Sequence, residues 1–266
     1  MDTISIQRMF RRFKNTVPWL RDNHYTKKKD VRVYEFVRLQ SLAGFTMPNL
    51  FATYYGTFIT FDNNLDPVEP SKESYGMQRY FQDAGYITGY VNDFCHNGVF
   101  YNHPNKAYDR ERIYDHYFLN HACDRNIALV GKQDTLGFDK GTYAVGRHCI
   151  YGQEMVELGF NYILDFFDTY KGKRKFIQSS TLSAHTFYER NAEFVDEHLY
   201  DFLIKFHAKG HMKDTIIQLY SDHGDHLHVL LEYTESGMME KTHPPMIVIM
   251  PEAVADLYHD NMVANE

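Results

Sequence analysis

Residues 214–226 read DTIIQLYSDHGDH, an apolar run that stops at a carboxylate beside an imidazole, followed by glycine. Adjacent side chains on a strand point to opposite faces. Beyond the last ladder bond the chain can turn, glycine permits the turn, and Asp222 and His223 can then address one metal ion. An aspartate oxygen with a histidine nitrogen suits Zn²⁺ or Mn²⁺ better than Ca²⁺ or Mg²⁺. Taken by itself the pair reads more simply as a capped turn followed by a loop histidine, so its surroundings must decide. Asp225, His226 and His228 follow in GDHLH and read as an exposed polar loop at the rim. His148, in GRHCIYG, is a further candidate to reach the pocket.

The elements that must position these residues alternate in type. VRVYEFVRL (31–39), YITGYVND (86–93), KFIQSST (175–181), TIIQLY (215–220) and PMIVIM (245–250) read as strands, rich in β-branched and aromatic residues. A short helix opens at Thr46, with Pro48 tolerated in its first turn. Residues 72–84 read as helix, stopped by Gly85. Residues 151–170 carry apolar side chains at Met155, Leu158, Ile163, Phe166 and Phe167; residues 189–208 carry them at Phe194, Leu199, Phe202, Leu203 and Phe206. Both patterns are helical. Residues 93–148 read as irregular. Strands alternating with helices predict an α/β fold, a three-layer α/β/α arrangement around a mainly parallel central sheet. No repeat or linker interrupts 1–266, which reads as a single domain.

A net charge of −7 over 266 residues argues against a nucleic-acid partner. The basic cluster Arg8, Arg11, Arg12 and Lys14 reads as a solvated helix face. No apolar run reaches the length of a membrane-spanning helix, and the charged first residues are no signal peptide. Cys95, Cys123 and Cys149 form no CxxC pair; one disulfide with a free thiol and three reduced thiols both remain open.

SDHG at the end of a buried strand resembles the metal-binding signature of the alkaline phosphatase superfamily, whose members include phosphatases, phosphodiesterases, lipoteichoic acid synthases and sulfatases. Three more stretches match in order. DTISIQRMFRRFKNTVPWL resembles the first metal-ligand segment of the sulfatase-like family common in nematodes and insects, FTMPNLFATYYGT its nucleophile segment, and STLSAHTFYERNAEFVDEHLYDFL its Ser-His segment. The resemblance implies an alkaline phosphatase-like fold and one complete divalent-metal site made of Asp2, Thr46, Asp222 and His223, with Thr46 as nucleophile. Without the resemblance, Thr46 reads as an ordinary N-cap. His185 matches a histidine that binds a second metal, binds substrate or acts as acid, and His243 is one more candidate ligand. The second metal is in doubt, because the aspartate expected four residues before His185 is Thr181.

A threonine hydroxyl is a poor nucleophile until a cation or base activates it, so the site predicts a metal-dependent hydrolase or transferase of phosphate esters. Its substrate is an anionic ester on a lipid, glycan or nucleotide. Sulfatase chemistry is disfavoured: threonine cannot give the formylglycine aldehyde, and Leu50 replaces the motif arginine. A catalytically inactive metal- or ligand-binding module of the same fold is the reading from a different class. Relatives carry a strand before the first aspartate and continue past PMIVIMPE. The expectation is therefore a chain truncated at both ends, with Asp2 poorly anchored. Secretion or membrane anchoring is implied by the resemblance alone.

Overall fold

The computed structural model describes residues 1–23, 30–56, 76–93, 114–118, 149–150, 152–185, 190–226, 231 and 233–266. His148, His228, Cys95 and Cys123, and the first residues of the helix expected over 72–84, lie outside them. The described chain is α/β and divides into two compact units, Met1–Gly44 with Leu182–Glu266, and Phe45–Thr181.

The first unit holds helices α1 (Ile6–Arg12) and α2 (Thr16–Asn23) and strand β1 (Val31–Glu35). The second holds α3 (Thr46–Tyr55), α4 (Met77–Asp83), β2 (Ile87–Asn92), β3 (His116–Phe118), the short pair β4 (Cys149–Ile150) and β5 (Gln153–Glu154), α5 (Met155–Thr169) and β6 (Lys175–Ser180). The first unit then resumes with α6 (Asn191–Ala208), β7 (Ile217–Tyr220), α7 (Glu235–Thr242), β8 (Met246–Pro251) and α8 (Glu252–Asn265).

In the second unit β2 runs parallel to both β3 and β6, from Ile87 opposite Lys175 to Asn92 opposite Ser180. This is the parallel sheet expected from alternating strands and helices. The first unit departs from it. Its sheet has the order β1-β8-β7, and β8 is antiparallel to both neighbours. The cause is where the β7–β8 connection starts and ends. Ser221 N–H donates to Pro245 O at 3.2 Å, so the excursion leaves and returns at one end of the sheet and β8 must run back. A parallel return would need a crossover to the opposite end.

Residues Ile247–Pro251 of β8 are all buried, as are Val31–Tyr34 of β1. α6 buries Ala192, Val195, Asp196, Leu199, Phe202, Leu203 and Phe206, a 3.6-residue stripe. Phe194, expected on that stripe, is 42% exposed; Val195 takes its place. The basic cluster also departs from the expected solvated face. Arg8 is 1% exposed, because the buried face of α1 runs through Ile6, Arg8 and Met9. Arg11 pairs with Glu240, and Arg12 with Glu193.

α1 is capped by Ser5, whose hydroxyl accepts from Arg8 N–H at 2.9 Å. The start of α2 is capped from a distant element: the buried Asp196 carboxylate of α6 accepts from Asn15 N–H and Thr16 N–H, each at 2.8 Å. This bond pair fixes the N-terminal helices, and hence Asp2, against α6. Asp196→Ala strands two donors, and we expect it to lower the unfolding free energy by about 2 kcal/mol, measured by urea denaturation of variant and parent.

Candidate metal centre

Asp2 lies beside the carboxyl end of β7. Met1 N donates to Tyr220 O at 2.9 Å, and Ile4 N–H donates to Ser221 Oγ at 3.1 Å. Thr3 Oγ1 donates to Ala184 O at 3.2 Å. These bonds reach two segments of the unit and leave Asp2 5% exposed, so the expected poor anchoring is corrected. Thr3 itself takes φ +56°, a left-handed conformation costly for a β-branched residue. The turn swings the chain from the edge of β7 into α1.

Ser221 Oγ donates to His223 O at 2.8 Å, tightening the turn after β7. Gly224 is required here by close approach. A Cβ at this position would stand 1.6 Å from Glu240 O, and Gly224 N–H donates to Lys241 O at 2.9 Å. The last turn of α7 therefore sits directly on the Asp-His-Gly turn, and only glycine fits.

Asp2, Asp222 and His223 each present one ligand atom, all within 4.8 Å of one another. His223 Nε2 lies 3.7 Å from Asp2 Oδ1 and 3.4 Å from Asp222 Oδ2. These separations are too long for good hydrogen bonds. They match the edge of a tetrahedron around a cation with bonds of about 2.0–2.1 Å, which is roughly 3.4 Å. His223 Nδ1 lies 2.7 Å from Gly224 O, so Nδ1–H donates there and Nε2 is the ring nitrogen that faces the carboxylates. His223 is fully buried and the two aspartates nearly so. Asp2, Asp222 and Asp225 are buried together, and the Arg8 guanidinium lies 3.7 Å from Asp225, a carboxylate-rich surrounding that suits a divalent cation. Donor set, spacing and charge all fit such an ion.

Of the other expected site residues, His185 is buried and its ring lies 5.2 Å from that of His226. His226 in turn lies 4.7 Å from the ring of His223. The loop after the pair is therefore no exposed rim: Asp225 is 3% exposed and faces Arg8, and His226 bridges two histidines. Alternation of polar residues disguised this in the sequence. His243 caps the end of α7, its Nδ1 3.1 Å from Met239 O and its Nε2 3.5 Å from Gln40 Nε2, outside the three-ligand group. Thr181, in the second unit, hydrogen-bonds through Oγ1 to Asp93. Thr46, also in that unit, is the first residue of α3 and half-buried; the N-cap is Phe45, not Thr46.

Burial lowers the pKa of His185, with His223 adding to the shift, while a backbone hydrogen bond and the charges of Asp222 and Asp225 oppose it. Burial, then the neighbouring His223, His185 and Lys241, push His226 down to about 4. Both imidazoles are neutral at pH 7.

Two outcomes follow from this geometry. Zn²⁺ at a hundredfold excess over its dissociation constant is expected to stabilise the chain by about 2.7 kcal/mol, and Asp222→Ala to abolish the thermal shift. In chelator, unfolded His226 titrates near 6.5 and folded His226 near 4. The unfolded chain thus holds the extra proton between those values, and stability falls as pH falls through that window. His226→Gln is expected to reduce that slope in urea midpoints measured across it.

Comparison with known proteins bears on both fold and family. A family profile described as "Protein of unknown function (DUF229)" matches residues 1–265. No curated protein matches the sequence. Among solved structures, the chain is similar to the C-terminal periplasmic domain of EcEptC from Escherichia coli in complex with Zn, at 11% identity and a TM-score of 0.54, over 96% of this chain and 72% of that one. It is similar to the lipoteichoic acid synthase LtaP from Listeria monocytogenes, at 15% identity and a TM-score of 0.52, over 94% and 64%. It is also similar to the phosphonate monoester hydrolase SpPMH from Silicibacter pomeroyi, at 12% and 0.58, over 94% and 66%. The chain thus spans less than two thirds of the length of the last two. Such identities establish the fold; the profile, covering nearly every residue, establishes the family. The chain belongs to the DUF229 family.

Proposed function

We propose that this chain is a metal-dependent hydrolase or transferase that acts on a phosphate ester through Thr46. The observation that carries the reading is the buried Asp2–Asp222–His223 group, with its spacing of 3.4 and 3.7 Å about His223 Nε2. Asp2 Oδ1, Asp222 Oδ2 and His223 Nε2 would hold one ion, Zn²⁺ or Mn²⁺, and in this reading the Thr46 hydroxyl would be the further oxygen ligand. When bound, the cation favours the ionised form of a coordinated hydroxyl and holds negative charge on the ester oxygens. The relatives named above support an ester substrate and, in one case, zinc.

In this reading Thr46 Oγ forms a bond to phosphorus while the bond from phosphorus to the leaving alcohol oxygen breaks. The proton lost by the Thr46 hydroxyl balances the one taken up by the departing oxygen, and water or a second alcohol then bonds to phosphorus, its own proton balancing the one regained by Thr46 Oγ as that bond breaks. Neutral His185 donates a hydrogen bond to a substrate oxygen. His223 Nδ1–H, donating to Gly224 O, keeps the ring turned so that Nε2 faces the ion. The substrate class is an anionic ester of a lipid, glycan or nucleotide. The protein is placed outside the cell or anchored to its membrane, by analogy with the periplasmic relative. Among the described residues, no helix is long and apolar enough to cross a membrane.

An aryl phosphodiester and an aryl sulfate, each with Zn²⁺ or Mn²⁺, test the reading. Turnover of the phosphodiester is expected, and Thr46→Ala is expected to reduce kcat by at least about a thousandfold. Undiminished turnover in Thr46→Ala removes the mechanism. A preference for the sulfate points to a sulfuric ester hydrolase. Bound metal without turnover of either ester leaves a binding module.

A further inference from the structure

Arg8 is a long cationic side chain at 1% exposure, a position that needs a reason. Its Nη1 donates to Thr3 O at 3.0 Å and lies 3.7 Å from Asp225 Oδ2, and that carboxylate is 5% exposed. Thr3 follows Asp2 directly and carries the left-handed φ of +56°. Asp225 lies two residues beyond His223, across the glycine pressed against α7. One guanidinium therefore touches both peptide segments that deliver the metal ligands, which are more than 200 positions apart in the chain.

We propose that Arg8 is a positioning residue for the metal centre. Its bond to the Thr3 carbonyl holds the strained turn that aims Asp2, and its charge holds Asp225 and the turn carrying Asp222 and His223. The proposal rests on the metal-site reading given above. It acts through the Thr3 carbonyl and Asp225.

A buried ion pair also stabilises the fold, so the test must separate stability from positioning. Removing one partner strands the other charge, whereas removing both does not. The full chain is titrated with Zn²⁺ by calorimetry as parent, Arg8→Met, Asp225→Asn and the double variant, with urea unfolding measured in chelator. Arg8→Met and Asp225→Asn are each expected to lower stability, and the double variant to recover much of it. Zinc affinity is expected to stay weaker by about 10- to 100-fold in the double variant, because the Thr3 carbonyl has still lost its donor. Arg8→Lys keeps a donor and charge and is expected to recover part of the affinity. Parental affinity in a stably folded double variant overturns the proposal while leaving the metal site standing. Affinity that follows stability across all variants overturns it as well. If the parent binds no zinc, the metal-site reading fails and this inference with it.

Discussion

Two buried carboxylates face one buried imidazole nitrogen, and that arrangement constrains everything around it. The aspartate oxygens stand 3.7 and 3.4 Å from His223 Nε2, where burial weakens solvent screening of any charge they carry. The fold holds the group together with covalently distant clamps: Ser221 and Ala184 on residues 3 and 4, α7 on Gly224, and Asp196 on the start of α2. None is large alone. Together they fix three side chains to the tolerance a small ion demands.

The charge arithmetic explains several features that look unrelated. Asp225 and Arg8 neutralise each other, while Asp2 and Asp222 carry the excess that a divalent cation would match. His185 and His226 stay neutral, since burial beside other imidazoles disfavours any added proton. The pocket is thereby poised for one hard positive charge in a surrounding of neutral nitrogen donors and acceptors.

The sequence made much of this legible, for a physical reason. Strand periodicity located β1, β2, β6, β7 and β8, and the Asp-His-Gly run announced its own position at the end of β7. Asp2 was legible only through resemblance, because a lone aspartate carries no periodic signal. Tertiary facts stayed hidden. An arginine on an amphipathic helix looks solvated until its partner, Asp225, is brought from the far end of the chain. Asp225 and His226 look like loop residues because their contacts come from Arg8 of α1 and from His185, not from neighbours in sequence. α8 left no pattern: it buries only Ala255 and exposes Leu257 and Tyr258. The antiparallel return of β8 depends on where a 25-residue connection closes, which composition does not encode.

That closure has an evolutionary corollary. The connection is stitched at its base by Ser221 with Pro245 and again by Gly224 with Lys241, so the chain beyond the stitches is a tethered arc. Lengthening such an arc costs little, about 0.6 kcal/mol for each doubling. Changes of length between those stitches therefore cost little in loop closure.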